Sequence, residues 1–185
     1  MEIEINYSFI IPHRNVPHLL QRCIDSIPKR DDIQIIIVDD NSDPKIVNFE
    51  CFPGLNEKCV EVYFTKEGKG AGYARNIGLT YAKGKWFLFP DADDHYTTDL
   101  MNVLDKYVNS NYDIIYFACD HIIEKTMEHC DNIISIQIKS YLEGHKDMIN
   151  NIRYYLWAPW NKMISRNLIE RNLSLIHISE PTRLR

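Results

Sequence analysis

Asp91, Asp93 and Asp94 stand within four positions, in the stretch WFLFPDADDHY, directly after an apolar run that ends at Pro90. Carboxylates this crowded repel one another unless a cation sits among their oxygens. Asp91 and Asp93 are two apart, so an extended chain points both to one face. Hard oxygen ligands of this kind suit Mg²⁺ or Mn²⁺. Mg²⁺ typically takes one or two protein carboxylates and leaves its other positions to water and substrate phosphate. The chemistry implied is a divalent cation holding a nucleotide diphosphate. His95 is a further candidate ligand, ranked after the carboxylates.

Two more polar clusters follow apolar runs: PHRN, from Pro12 to Asn15, and VDDNSD, from Val38 to Asp43. Taken singly, each reads as a turn or a helix cap. A basic, glycine-rich segment, KEGKGAGYARNIG, carries Lys66, Lys69 and Arg75. It is not a P-loop, since no GK[ST] follows a four-residue gap after a glycine. It is not G-x-G-x-x-G, since Tyr73 stands at the third glycine position. It reads as a flexible loop entering a helix, with cations to meet phosphate charge near that helix's N-terminus. A solvated basic loop is the plainer alternative.

These clusters need elements to carry them. The pattern predicts strands at Tyr7–Ile11 (closed by Pro12), Gln34–Val38, Val60–Phe64, Trp86–Phe89 and Tyr112–Ala118. It predicts helices at Pro17–Ile27, at about Ala71–Ala82, from Thr97 or Thr98 to about Val108, and near Ser140–Ile149. A further strand is predicted at Ile133–Ile138. The unbroken run Ile35, Ile36, Ile37, Val38 suits a central parallel strand covered on both faces. Alternating β and α elements imply a right-handed, mainly parallel α/β sheet flanked by helices. Ligands of such sheets bind beyond the carboxyl ends of the strands, where all three acidic or polar clusters would then lie.

The chain has 185 residues, 45% of them hydrophobic and 25% charged, which fits one globular domain rather than a disordered chain. A net charge of -5 argues against nucleic acid as the main partner. The five cysteines are widely spaced, with no CxxC pair, so neither a zinc ribbon nor a disulfide framework is indicated and a reducing cytosol is expected. MEIEINYSFIIP has no basic start and is not read as a signal peptide, and no apolar run is long enough to span a bilayer.

The segments YSFIIPHRN, IIIVDDNSD, GAGYARNIGLTYAKGKWFLFPDADD and WNKMISRNLI occur in this order. Together they resemble a family 2 glycosyltransferase of the bacterial polysaccharide-building kind, over about residues 5 to 170. The resemblance implies a GT-A, nucleotide-diphospho-sugar transferase-like fold, an inverting mechanism, a nucleotide-sugar donor (a UDP-sugar foremost) and Mg²⁺ or Mn²⁺. It places Pro12, with Arg14 and Asn15 beside it, near the nucleotide. Asp40 would hydrogen-bond the base, with Asp39 close enough to share the role. Arg75 and Asn76 would line the nucleotide pocket, with Lys69 at the phosphates. Asp91 would face the ribose, with Ala92 next to it, and Asp93 would bind the metal, Asp91 contributing. His13-Arg14 stands where many members carry an aromatic residue before Asn15.

The resemblance further implies a saccharide or lipid-linked saccharide acceptor, a cytoplasmic location, and peripheral association with the inner membrane face. Trp157, Trp160 and Asn161 read either as part of the acceptor side, where aromatic faces suit sugar rings, or as a packed hydrophobic hinge. The catalytic base of the family is an Asp downstream of the WNK segment, and no ED pair lies between Lys162 and Asn172. The last stretch, LSLIHISEPTRLR, resembles a translated sequencing adapter. The expectation is therefore one domain over residues 1–172, incomplete at its end, followed by a non-native tail over 173–185, with the base beyond the chain. The alternatives are a non-catalytic nucleotide-sugar-binding fragment and a phospho-acceptor signalling domain with Asp91 as acceptor. The second leaves the ARN helix and Asp93-Asp94 unexplained. A D-x-D-x-[TV] phosphatase fails at His95, and a calcium loop fails at Tyr96.

Overall fold

β1 (Tyr7–His13) and β2 (Ile33–Asp40) are buried along their whole lengths and pair in parallel, from Tyr7 against Ile33 to His13 against Asp39. The computed structural model of the chain describes residues 3–119, 121–123, 126, 128–130, 133–145 and 158–172. β3 (Val60–Thr65) joins β2 and β4 (Trp86–Leu88) joins β1, both in parallel. β5 (Ile114–Tyr116) lies at the far edge. β6 (His121–Ile123) and β7 (Glu128–Cys130) form a separate antiparallel pair. β8 (Lys162–Ser165) is inserted between β4 and β5, antiparallel to both. The main sheet thus has the order β3-β2-β1-β4-β8-β5, with β8 its antiparallel member.

Helices cover both faces, which is why the inner strands are apolar without alternation. On one face, Phe9, Ile11, Ile35, Ile37, Leu88 and Met163 pack against Leu20, Cys23 and Ile24 of α1 (Pro17–Ser26) and against Leu100 and Leu104 of α3 (Leu100–Leu104). On the other, Ile10, Ile36, Val38, Phe87, Phe89 and Ile164 pack against Ala74 of α2 (Ala71–Tyr81) and Ile169 of a helix that follows β8 directly, Arg166–Asn172. Pro17 opens α1, where its missing N–H costs nothing. Among the described residues no helix is long and apolar enough to cross a membrane.

Several expectations need correction. β1 runs through Pro12 instead of closing there. Along β1, β4 reaches only Tyr7–Phe9, so Pro12 lies beyond the end of β4, where a residue without an N–H is tolerated. Asp39 and Asp40 belong to β2 itself and are not in a turn after it. The helix expected to reach about Val108 is the short α3. The strand expected at Ile133–Ile138 is instead a helix, α4 (Ile133–Leu142), with the helix after β8 numbered α5. The alternating isoleucines of α4 suggest a strand, yet Ile133 and Ile136 are about half exposed while Ser135 and Gln137 are buried. Ser135 explains the choice, since its hydroxyl donates to the Cys119 carbonyl and accepts the Cys119 N–H at 3.0 Å, a pairing that tertiary context decides. The helix expected near Ser140–Ile149 overlaps the end of α4, and residues 146–149 lie outside the described residues.

Candidate functional site

β1, β2 and β4 run in parallel, so their carboxyl ends bring Pro12–Asn15, Asp39–Asp43 and Pro90–Asp94 to one edge of the sheet. β8 runs the other way, so its first residues arrive at the same edge. Met163 faces Leu88, which puts Asn161 level with Pro90.

The Pro90–Asp94 loop is braced from two sides. On α2, Arg75 Nη2 donates to Asp91 Oδ1. On α1, Arg22 Nη2 donates to the Asp93 carbonyl at 2.7 Å. Asp94 turns back on the loop, its Oδ2 accepting the Asp91 N–H at 2.9 Å. Asp93 is exposed, Ala92 is buried beneath it, and Asp91 and Asp94 are half-buried. Burial raises Asp91 above the usual carboxylate range, although Arg75 opposes this. Burial, with repulsion from Asp91 and Asp93, lifts Asp94 to about 6. The loop therefore gathers three carboxylates, two of them partly withdrawn from water, beside the Arg75 guanidinium.

Across the crevice, Asp39 and Asp40 face opposite sides of β2. Asp40, 3% exposed, accepts the Thr65 hydroxyl at 2.6 Å and the Gly70 N–H at 2.6 Å, and so ties the glycine loop to the strand. Gly70 has φ 95°, a left-handed value that a side chain would strain. Asp39 is bonded by His13 at 2.8 Å and by Ser42. Burial alone would raise Asp39; the hydrogen bonds from His13 and Ser42 outweigh it and hold the carboxyl below its ordinary value. Arg14 is exposed at the mouth of the crevice, where a Cβ on Gly68 would meet its Nη1 at 3.6 Å. Asn15 is half-buried and bonded to the turn after β2. Lys69 is engaged within its own loop, paired with Glu67 and 4.8 Å over the Tyr73 ring. Trp160 and Asn161 stand at the β8 end of the edge, and Trp157 lies outside the described residues.

Among the described residues no group of three or more His, Cys, Asp or Glu side chains is placed to hold a metal by itself. Asp91 and Asp93 offer the one or two carboxylates that Mg²⁺ or Mn²⁺ takes when phosphate and water complete the shell. Among the described residues, several buried polar atoms find no protein partner: Arg75 Nε, Asn76 Oδ1, Tyr96 Oη and both amide atoms of Asn161. Buried polar groups are rarely left without company, and water, an ion or a ligand usually supplies it. The residues present fit a cation with a diphosphate. A cavity of about 500 Å³ opens instead at the amino ends of the strands, lined by Lys29, Arg30, Gln34 and Lys83 among others. Arg30 there is committed to Asp32 and Asp105, and the cavity lies away from the acidic edge.

Sequence reasoning missed Arg22, Ser42, Thr65 and Lys162. Ser42 follows Asp39 by three residues in DDNS, a spacing typical of a side chain that caps its own turn. The others carry no local signal, because their partners are distant in sequence.

The family described as "Glycosyl transferase family 2" matches residues 8–170. Minor teichoic acid biosynthesis protein GgaB of Bacillus subtilis (strain 168) is 32% identical over 140 residues, 69% of this chain and 15% of GgaB. Among solved structures, S. aureus TarS 1-349 in complex with UDP-GlcNAc matches with a TM-score of 0.67 and 18% identity, over 91% of this chain and 47% of that one. Mannosyltransferase PcManGT from Pyrobaculum calidifontis, in complex with GDP-Man and Mn²⁺, matches with a TM-score of 0.61 and 18% identity, over 93% and 48%. The chain thus spans about half the length of these solved relatives and much less of GgaB. The fold is that of the GT-A glycosyltransferases.

Proposed function

This chain belongs to glycosyl transferase family 2, and from that premise we propose that its carboxyl sheet edge binds a nucleotide-diphosphate sugar with Mg²⁺ or Mn²⁺, for transfer of the sugar to an acceptor hydroxyl with inversion. The observation that carries this reading is the meeting of Asp91–Asp94, Asp39–Asp40 and Arg75 on one edge of the sheet, where the Pro90–Asp94 loop gathers three carboxylates. The bound cation would supply charge compensation for the departing diphosphate, the electrostatic contribution that dominates such reactions.

The chain's own groups divide the remaining work. Asp93, exposed at the tip of its loop, holds the cation, with Asp91 contributing. Arg75 sets the Asp91 carboxylate and turns it toward the ribose. Asp40 and the β1 turn, Pro12 to Asn15, meet the nucleoside, and Asn76 and Ala92 complete the pocket wall. Lys69 swings from Glu67 to the phosphates. The donors seen with TarS and with the mannosyltransferase support a nucleotide sugar, UDP-linked foremost, and the Mn²⁺ of the latter supports the cation. The name of GgaB, a minor teichoic acid biosynthesis protein, supports a role in cell-surface polymer synthesis; the acceptor in this reading is a saccharide or lipid-linked saccharide, met at the cytoplasmic membrane face. Within this chain, residues 1–172 carry the part of the domain that binds the donor.

Calorimetric titration with UDP-, GDP- and dTDP-sugars, with and without Mn²⁺, tests this. One class should bind in a Mn²⁺-dependent manner, and Asp93→Asn should weaken that binding by about a hundredfold, the loss of a charged metal ligand. No nucleotide binding at all, or undiminished affinity in Asp93→Asn, would overturn the assignment.

A further inference from the structure

The donor site uses one carboxylate at the end of β2, and Asp39 is left over. It is 4% exposed. Its Oδ1 accepts from His13 Nδ1 at 2.8 Å and from the Ser42 hydroxyl at 2.5 Å, and its Oδ2 accepts the Ser42 N–H at 3.0 Å. His13, 2% exposed, uses its other nitrogen as well, Nε2 accepting the Val16 N–H at 3.2 Å where α1 begins. An N–H only donates and a carboxylate only accepts, so the imidazole carries its proton on Nδ1. The Phe49 ring stands edge-on to it at 5.6 Å.

The chain of bonds continues. Ser42 Oγ accepts the Asn15 N–H at 2.9 Å, and Asn15 Oδ1 accepts the Asp43 N–H at 2.7 Å. The turn after β1 and the turn after β2 are thereby closed on each other. Each turn contains an asparagine in the left-handed region, Asn15 at φ 58° and Asn41 at φ 61°. Such a conformation persists where the surroundings over-determine it.

We infer that His13 and Asp39 are positioning residues that clamp these two turns into one wall of the donor crevice, while Asp40, Arg14 and Asn15 do the touching. This rests on the donor-site reading above. Asp39 therefore does not share the base with Asp40; the two adjacent carboxylates hold opposite walls, Asp39 the β1 turn and Asp40 the glycine loop.

The test is a pair of substitutions in the full chain, titrated with UDP or GDP, whichever the unaltered chain binds, plus Mn²⁺. In His13→Asn the amide N–H stands where Nδ1 stood and keeps the bond to Asp39. In His13→Gln the amide reaches where Nε2 stood and keeps only the bond from Val16. His13→Asn should bind within about threefold of the unaltered chain, and His13→Gln about tenfold more weakly, the loss of one hydrogen bond to a charged group. Equal affinity in His13→Gln, or equal weakness in both, overturns the clamp. Should His13→Gln fail to fold, Ser42→Ala at its half-buried position removes the shared partner of Asp39 and Asn15. It should also weaken binding by about tenfold, and unchanged affinity overturns the inference. An unaltered chain that binds neither nucleotide defeats the donor-site reading itself, and that result is visible before any variant is made.

Discussion

Lys162 carries an ammonium group into the interior: the residue is 1% exposed, and burial pushes its pKa down from 10.5 to about 8. Tyr116, its partner across the β5–β8 ladder, places its ring 5.2 Å from Nζ. Between about pH 8 and 10.5 the unfolded chain binds a proton that the folded chain has released. Stability therefore rises with pH through that window, and below it the cost of the buried charge is present in full. The stability of Lys162→Met relative to the unaltered chain should be greatest near neutral pH. It should fall toward the alkaline end of the window. Urea denaturation at the two ends checks this, and a constant difference would count against a charged, buried Lys162. Nothing in WNK announces this residue's place; its burial follows from β8 entering the sheet between two strands.

Two glycines show how closely the elements approach. A Cβ on Gly84 would lie 2.5 Å from the Ser8 backbone nitrogen and 2.8 Å from the Tyr7 carbonyl carbon, and neither can step aside. A Cβ on Gly78 of α2 would meet Ile10 Cγ2 at 2.4 Å and Val38 Cγ2 at 3.2 Å, buried branch methyls with little room to turn, though side-chain atoms rather than backbone. Gly78→Ala should cost about 1–3 kcal/mol, the usual range for overpacking. Gly84→Ala should cost more, because β4 must part from β1; denaturant midpoints for the pair give the order. α2 itself is legible from AGYARNIGLTYA, where the apolar spacing is helical and Gly84 follows. α4 is not, because its alternating isoleucines imitate a strand while Ser135 finds its partner in Cys119, sixteen residues away.

On the scale of the molecule, β8 covers what would otherwise be the open edge of β4, and Met163 and Ile164 complete both core layers. A chain shortened to residues 1–145 should lose cooperative unfolding, seen as a broad, shallow near-ultraviolet melt. A sharp transition would show that the four parallel strands β3-β2-β1-β4 suffice. In the intact chain, donor nucleotide with Mn²⁺ at about a hundred times its Kd should add about 2.7 kcal/mol of stability. The melting temperature should rise with it, and removal of Mn²⁺ by chelation should reverse the gain.

The amino-acid sequence alone determined the alternation of strands and helices, the parallel centre of the sheet, and the three polar clusters at strand ends. These are local matters: side-chain period, β-branched runs and turn residues act over a few positions. The family was legible too, because its motifs are short and ordered. Tertiary structure alone decided that β8 enters antiparallel and delivers Asn161 and Lys162 to the site edge. It alone decided that Arg22 braces the Asp93 loop, and that Asp39 and Asp40 clasp different walls. The partners of Arg22, of Asp40 and of β8 lie between 25 and 79 positions away. A hydrogen bond across such distances leaves no trace in local periodicity until the sheet has assembled.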